Sequence, residues 1–351
     1  NYVNFAFNYN KNRNFNEVLA AANSLRNASQ NKGAYIKGLR GSSLNGGFDI
    51  ALSNNGEYIG YDNAESNHTS RNFSQSDYLL WNAFIPTPDP YEIEPDEYRY
   101  NDADGYAFTR EQKGYIGEYD FNVSGNHQNQ IFWGITIGIK DVHYDHISQY
   151  TEYLNLAMGG YAGNLLTTDE RTITGTGWNI KGGVIIRPID ESPFRFGFSI
   201  STPTWYELTS SNFTRIYNNT PGIGMYDTGK SNESIKYKMF TPWKFGASLG
   251  HTFGQDLALG VSYDYSDYGA IDNRIITDEY YDSWDNTYSA HSESDNHMNA
   301  NTKKSLKGVH TLKVGFESKL TPEFAVRAGY NYVSPMYSKD GVRSTCLNTD
   351  G

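Results

Sequence analysis

The chain contains 351 residues, carries a formal net charge of −11 and has a single cysteine, Cys346. The acidic balance argues against a nucleic-acid partner, because such partners normally require a basic patch. One cysteine excludes an intrachain disulfide and a cysteine-based metal cluster. No apolar run reaches the ~18 residues of a transmembrane helix, and the long helical periodicity of a soluble α/β enzyme is lacking.

Alternating apolar and polar residues predict nine β-strands, because successive side chains of a strand point to opposite faces. In chain order the nine segments are residues 1–10, 115–125, 130–140, 174–187, 194–201, 242–253, 257–266, 310–317 and 324–333. The third segment, QIFWGITIGIK, shows the pattern most clearly. Its bulky apolar residues run from Ile131 to Ile139 on one face, and mostly small or polar residues, ending in Lys140, occupy the other.

Eight of the nine segments form four hairpins, whose short turns lie near residues 128, 190, 255 and 320. Long polar connections join the hairpins at the opposite end. Short turns on one side, long loops on the other and strands of about ten residues are typical of outer-membrane barrels. A closed antiparallel barrel also leaves no backbone polar group unpaired in lipid. We therefore predict an all-β fold, a transmembrane antiparallel β-barrel.

The two faces of the predicted strands differ in chemistry. The polar face carries charged residues, which suits a water-filled lumen better than the interior of a soluble β-sandwich or propeller. The apolar face ends in an aromatic residue in several strands, as a membrane girdle would: Tyr9, Tyr115, Trp178, Trp243, Tyr265 and Tyr332. We expect Ile135, Trp178, Phe196, Leu259 and Val326 to point outward.

Basic residues at polar-face positions are the candidate lumen residues: Lys140, Lys181, Arg187, Arg195, Lys313 and Arg327. A cation along the path would stabilise an acid-headed amphiphile, because a buried carboxylate without a partner is costly. Alternatively, these residues pair with acids of the same parity and brace the barrel. Those acids are Glu118, Asp120, Asp264 and Glu317.

Three segments resemble a known family: FRFGFSISTPTWYEL, TPWKFGASLGHTFGQDLALGVSYDYSDYG and LKVGFESKLTPEFAVRAGYNYVSPMY. The sequence resembles the long-chain fatty-acid transporter family (FadL-like outer-membrane proteins), which includes aromatic-hydrocarbon transporters. Its asparagine- and tyrosine-rich style is similar to the Bacteroidetes branch. The resemblance implies a fourteen-stranded barrel with an N-terminal hatch and a lateral opening, in the outer membrane of a Gram-negative bacterium.

The resemblance also implies that the nine segments correspond to the third to eleventh strands of the family. The hatch, the first two strands and the last three would then be missing, and we expect residues 1–351 to be a fragment forming a single barrel domain. Residues 11–113 are expected to form a long extracellular loop insertion. Residues 269–305 are expected to form a second extracellular loop.

In the family, the loops after the fifth and seventh strands make a greasy groove that captures the ligand. Residues 149–168 and 202–229 occupy these places and are richer in apolar residues than the other connections. The candidate groove residues are Leu154, Met158, Leu165, Leu166, Trp205, Phe213, Ile216 and Met225. The alternative is that the two loops only pack on each other and cap the barrel.

These features predict passive uptake of hydrophobic small molecules, such as long-chain fatty acids, by surface capture and diffusion through a porin-like barrel. The alternatives are a protein-docking barrel of the secretion-shuttle type and a hemin receptor using His291 and His297. A calcium loop at Asp102 and Asp104 is disfavoured, because Tyr100 stands where an acid is needed. We expect a monomer in contact with outer-membrane lipid and lipopolysaccharide, without enzymatic activity, catalytic residues, metal or cofactor.

Overall fold

The computed structural model describes residues 2–33, 49–52, 58–62, 79–80, 102–155, 161–189, 191–220, 224–282, 287–321 and 323–338. The strands are β1 (Tyr2–Asn14), β2 (Glu17–Ala28), β3 (Asp49–Leu52), β4 (Tyr58–Asp62), β5 (Ala103–His127), β6 (Ile131–Asn155), β7 (Tyr161–Ile186), β8 (Arg195–Ser201), β9 (Trp205–Thr220), β10 (Gly224–Phe240), β11 (Lys244–Phe253), β12 (Leu257–Asp267), β13 (Asp272–Asp282), β14 (Thr287–Ser294), β15 (Gly308–Lys319) and β16 (Ala325–Val333). A 3₁₀ turn covers Tyr268–Ala270, and helix α1 covers Asn296–Ser305. No helix in the described part of the chain is long and apolar enough to cross a membrane.

Fourteen strand segments form one antiparallel sheet, and β3 and β4 form a separate pair. Several successive segments are two halves of one long strand. β1 and β2 both pair with β5, and β8 and β9 both pair with β7. β10 and β11, β12 and β13, and β14 and β15 are joined in the same way. The sheet therefore consists of nine long strands with neighbours in chain order, as predicted.

The two faces have the predicted identities, because residues opposite each other on neighbouring strands share a face. On the apolar face, Ile135 and Trp178 are 54% and 49% exposed. On the polar face, Glu118 and Lys140 are 4% and 6% exposed. The register places Ile135, Trp178, Phe196, Leu259 and Val326 on the apolar face and Lys181, Arg195 and Arg327 on the polar face. This distribution reverses the usual burial of apolar residues.

The second, third and fourth of the nine long strands extend far beyond the segments that the sequence pattern indicates. β5, β6 and β7 contain 25, 25 and 26 residues, which corresponds to about 80 Å at ~3.3 Å per residue. The apolar face of β6 ends at Ile139 and continues with Asp141, His143 and Asp145. Only the half of each strand next to the short turns therefore carries the membrane pattern.

The expectation that residues 149–168 and 202–229 are loops is wrong. Their described residues belong mainly to β6 and β7, and to β9 and β10. The expected loop at 11–113 is shorter than predicted, because β1 and β2 occupy its beginning and β5 occupies its end. The expected loop at 269–305 contains β13, β14 and α1. These strands could not be recognised by alternation, because both of their faces carry polar residues.

A row of irregularities separates the two halves of the sheet. Gly114 and Gly175 have φ angles of 126° and 155°, which other residues rarely adopt. A Cβ at either glycine would lie 2.1 Å from a backbone carbonyl oxygen of the neighbouring strand. Pro203 and Pro242 interrupt two further long strands, because proline cannot donate to the ladder. The Thr204 backbone N–H instead donates to the Thr241 Oγ1 at 2.8 Å. This hydrogen bond joins the two interrupted strands at the point where β8 gives way to β9 and β10 to β11.

Candidate functional site on the layered polar face

Four charged side chains meet on the polar face where the apolar pattern ends. The Lys140 Nζ lies 3.0 Å from the Glu118 Oε1. The Lys181 Nζ lies 2.7 Å from the same oxygen and 3.0 Å from the Asp120 Oδ1. We call Glu118, Asp120, Lys140 and Lys181 the ion cluster. Its two positive and two negative groups cancel, so the cluster is neutral although it is largely buried.

The ion cluster spans three strands because Gly138 on the middle strand has no side chain. A Cβ at Gly138 would lie 2.5 Å from the Asn179 Oδ1 and 3.0 Å from the Asp120 Oδ1. The side chains of β5 and β7 can therefore reach each other across β6. From the other side, the Asn12 Nδ2 donates to the Glu118 Oε2 at 2.7 Å.

An apolar layer lies on the same face, directly beyond the ion cluster. Its buried members are Val142, Tyr206 and Leu208, and its partly buried members are Ile116, Ile173, Tyr237 and Met239. Val142 follows Lys140 by two residues, so the two share a face. Gly177 accommodates the Tyr206 ring, because a Cβ at Gly177 would lie 2.5 Å from a ring carbon. The residues of the apolar layer belong to β5, β6, β7, β9 and β10.

A polar layer follows further out. The Arg110 Nη2 lies 3.1 Å from the Glu17 Oε2, and the His146 Nε2 lies 3.7 Å from the Asp169 Oδ2. Burial lowers the pKa of His146 despite the opposing effect of the Asp169 carboxylate. The imidazole is therefore mainly neutral at pH 7, and the charged groups of this layer are the Arg110–Glu17 ion pair and the Asp169 carboxylate.

An outer cluster of apolar residues lies near the far ends of the strands. It consists of Leu25, Leu79, Leu80, Ala103, Leu154, Leu165 and Ile216. Next to it, Glu152 is 1% exposed and accepts the Gln30 backbone N–H with both carboxylate oxygens, at 2.8 and 3.0 Å. The Tyr150 hydroxyl donates to the same carboxylate at 3.1 Å. Burial raises the pKa of Glu152, and these hydrogen bonds only partly offset it.

The structure divides the predicted groove residues between the two faces. Three lie together in the outer cluster on the polar face: Leu154, Leu165 and Ile216. Leu166, Trp205 and Phe213 lie on the opposite face. The Trp205 ring centre lies 4.3 Å from the Trp178 ring centre, with the two ring planes tilted by 40°. Met158 lies outside the described residues, and of Met225 only its place in β10 is described. A single groove built from all eight residues is therefore not assembled.

The predicted lumen cations have partners on the polar face. Besides the two lysines of the ion cluster, the Arg327 Nε lies 2.8 Å from the Glu317 Oε2 and the Lys313 Nζ lies 3.5 Å from the Asp264 Oδ2. The Arg187 Nε donates to the Ser192 carbonyl oxygen at 3.0 Å. The Arg195 guanidinium carbon lies 5.9 Å from the centre of the Phe132 ring. These contacts favour the alternative in which the basic residues stabilise the sheet by pairing on its polar face over the one in which they bind an acidic cargo.

The residues considered for metal or haem binding are engaged or dispersed. The Asp102 carboxylate pairs with Lys32 at 2.8 Å, and the Asp104 carboxylate accepts the Asn155 amide at 2.8 Å. His291 lies in β14 and His297 in α1. Among the described residues, no group of three or more His, Cys, Asp or Glu side chains could hold a metal ion.

No family model matches the sequence, and no curated protein matches it either. Among solved structures, the crystal structure of the Pseudomonas putida toluene transporter TodX is similar to this chain with a TM-score of 0.35 and 8% sequence identity. The similarity covers 65% of this chain, and the chain spans 64% of that structure. A TM-score of 0.35 is too low to assign a fold or a function to this chain.

Proposed function

We propose that this sheet is part of the wall of an outer-membrane β-barrel that admits hydrophobic small molecules. The observation that carries the proposal is the reversed burial of its two faces along the half of the sheet next to the short turns. A soluble β-protein exposes one polar face and buries the other against a second layer. Here the bulky apolar face is exposed, whereas the charged residues Glu118 and Lys140 of β5 and β6 are buried, which suits lipid outside and a polar interior.

The dimensions support the same proposal. The outward apolar residues of β6 run from Ile131 to Ile139. A tilted β-strand needs about nine to eleven residues to cross a bilayer. Aromatic residues mark the end of this band, with Trp178 opposite Ile139 and Tyr119 on its other side. Aromatic rings of this kind sit at the headgroup level of membranes.

The proposal requires further strands beyond the described sheet. β1 and β16 each pair on one side only within the described part of the chain. An open edge cannot face lipid, because each unpaired backbone group costs several kcal/mol there. Additional strands, from the same protein or from another copy, therefore close the barrel in this proposal.

The apolar layer supports hydrophobic cargo. A purely structural lumen is served by polar side chains, yet Val142, Tyr206 and Leu208 form an apolar zone above the neutral ion cluster. Those three side chains are buried, so the surface open to a cargo comes from the partly buried members of the layer, Ile116, Ile173, Tyr237 and Met239. Covering ~100 Å² of apolar surface contributes about 2.5 kcal/mol at ~25 cal/mol per Å². A hydrophobic molecule passing this zone would therefore be held there, while the neutral cluster beneath it offers no net charge. Fatty acids are the first cargo to test.

The experiment replaces one residue of the apolar layer and one neighbour of opposite parity. Leu208→Asp should weaken binding of a fluorescent fatty acid to the full-length protein in phospholipid vesicles on the order of tenfold, because it places a charge in the layer. Thr209→Asp, on the other face, should leave binding unchanged. Both variants must keep the heat stability of the barrel for the comparison to count. Equal binding by the two variants would contradict the proposal.

Protein docking is the second candidate function. The outer halves of β5, β6 and β7 extend well beyond the band that ends at Ile139, and a passive pore does not require such an extension. A defined protein partner bound by the full-length protein, together with unchanged fatty-acid binding in Leu208→Asp, would favour docking over uptake.

A further inference from the structure

Three lysines are concentrated where α1 ends and β15 begins. The segment KKSLK places Lys303, Lys304 and Lys307 within five residues, in a chain whose net charge is −11. All three are exposed, and none forms an ion pair with another described residue. Cations in the last turn of a helix stabilise its dipole, which accounts for Lys303 and Lys304. Lys307 lies beyond the helix and needs another explanation.

The backbone under these lysines is held in place. The Asp295 carboxylate caps α1 by accepting the Met298 backbone N–H at 3.0 Å. The Asn299 amide donates to the Asp272 Oδ1 at 2.8 Å and accepts the Asn273 backbone N–H at 2.8 Å. The Lys307 backbone N–H donates to the Met336 carbonyl oxygen at 2.9 Å. The three ammonium groups are therefore presented from a fixed platform.

The nearby carboxylates are occupied by other groups. The Asp267 carboxylate accepts the Gly269 backbone N–H at 3.0 Å. The Asp272 carboxylate lies 2.8 Å from the Arg274 Nη1 as well as from the Asn299 amide. Neither of these carboxylates forms an ion pair with Lys303, Lys304 or Lys307.

The patch lies at the edge of the apolar band. Three residues after Lys307, His310 lies opposite Tyr265 on the apolar face. The Tyr263 hydroxyl and the His310 Nδ1 are 2.6 Å apart. Leu312, opposite Tyr263, then begins the apolar residues of β15. Aromatic rings mark the headgroup level of a bilayer, so the lysines lie at the level of the lipid headgroups if the sheet spans a membrane as proposed above.

We propose that Lys303, Lys304 and Lys307 form a binding patch for the phosphate groups of an anionic membrane lipid, at the rim opposite the short turns. A lysine ammonium is a compact, strongly solvated charge that binds phosphate as a point charge. Each lysine near an anionic surface strengthens binding roughly fivefold. The platform on α1 keeps the three charges together at the level of the headgroups. This inference rests on the proposed membrane location, but it does not depend on the nature of the cargo.

The test uses the full-length protein in phosphatidylcholine nanodiscs that contain bisphosphorylated lipid A. Native mass spectrometry after extraction with mild detergent measures the lipid A retained by each protein. The variant Lys304→Gln/Lys307→Gln should lower the affinity for lipid A about 25-fold. Lys304→Arg/Lys307→Arg should restore it, because the charge remains.

The matched control is Lys244→Gln/Lys319→Gln, which removes two exposed lysines elsewhere on the same sheet. It should retain lipid A like the original protein, and dephosphorylated lipid A should not distinguish the variants. Equal losses in the patch and control variants would overturn the proposal. Displacement of the lipid by inorganic phosphate at the same phosphate concentration would also overturn it, since a free anion would then suffice. Fatty-acid binding, measured on the same samples, reports separately on the proposed uptake function.

Discussion

At the scale of single residues, the polar face of the sheet depends on Gly138, which has no side chain, and on the buried carboxylate of Glu152. The sequence places Lys140, Lys181, Glu118 and Asp120 on one face by parity alone. Their pairing was one of two alternatives that the sequence left open, and the sequence could not decide which side chains meet, because the contacts depend on the register of three strands and on the space above Gly138. Residues Asn12 and Asn179 were missed for the same reason, since an asparagine in so polar a chain carries no signal of its own.

Filling the space above Gly138 should separate the charges. Gly138→Ala is expected to lower the free energy of unfolding by about 1 to 3 kcal/mol. The new Cβ would collide with the Asn179 Oδ1 and would crowd the Asp120 and Glu118 carboxylates, at 3.0 and 3.2 Å. Gly134→Ala, on the same strand and face, should be nearly neutral, since its nearest atom is the Ser124 Cβ at 3.5 Å. Urea unfolding in phospholipid vesicles measures both. Equal effects would mean that the ion cluster does not depend on the gap.

The Glu152 carboxyl should make the outer half of the sheet depend on pH. Burial raises its pKa in the folded state above the ordinary value of 4.5, so the folded protein binds this proton more tightly than the unfolded chain. Its contribution to stability is therefore fully present below the ordinary pKa and is lost as pH rises through the raised value. Glu152→Gln should remove this dependence and should not destabilise the protein at neutral pH.

The measurement for Glu152 is the unfolding midpoint across this pH range, compared between the original protein and the variant. Glu111→Gln serves as the control, because Glu111 is an exposed carboxylate of the same hairpin. The account of Glu152 fails if the two variants show the same pH dependence as the original protein.

At the scale of elements, the sequence predicts where strands cross the apolar band but not how far they continue. Beyond Ile139 the outward residues become polar, so alternation between apolar and polar residues no longer distinguishes strand from loop. The sequence does indicate that β8 and β10 end next to Pro203 and Pro242, because proline cannot donate a hydrogen bond to the ladder. The sequence carries no sign that β9 resumes the line of β8, because that continuity is set by pairing with β7 over its whole length.

The outer halves of the long strands should resist hydrogen exchange. Backbone amides of residues 103–112 and 164–174 are paired in the sheet, so we expect them to exchange slowly in the reconstituted protein. The short turn at residues 128–130 should exchange rapidly and provides the internal reference. Hydrogen exchange followed by mass spectrometry distinguishes the two. Rapid exchange throughout 103–112 would show that this segment is a loop, as the sequence pattern suggested.

At the scale of the whole molecule, the reversed faces are the feature that both sequence and structure support. The alternation of residues along each strand is enough to predict which side chains point outward, because aliphatic side chains at every second position all lie on one face of a strand. The apolar layer on the polar face was not predicted, since Val142 comes from β6 while Tyr206 and Leu208 come from β9, and each interrupts an otherwise polar face. Its assembly requires the long strands and their register, which only the fold provides.

The most direct test of the central claim is the environment of alternate residues on β6 in a bilayer. Single cysteines at Ile135, Thr136 and Ile137, in full-length protein with Cys346 replaced by serine, carry a fluorescent label into phospholipid vesicles. Brominated acyl chains should quench the labels at Ile135 and Ile137 strongly and the label at Thr136 weakly, because only the first two face lipid. Stronger quenching at Thr136, or equal quenching at all three positions, would contradict a membrane wall with its apolar face outward.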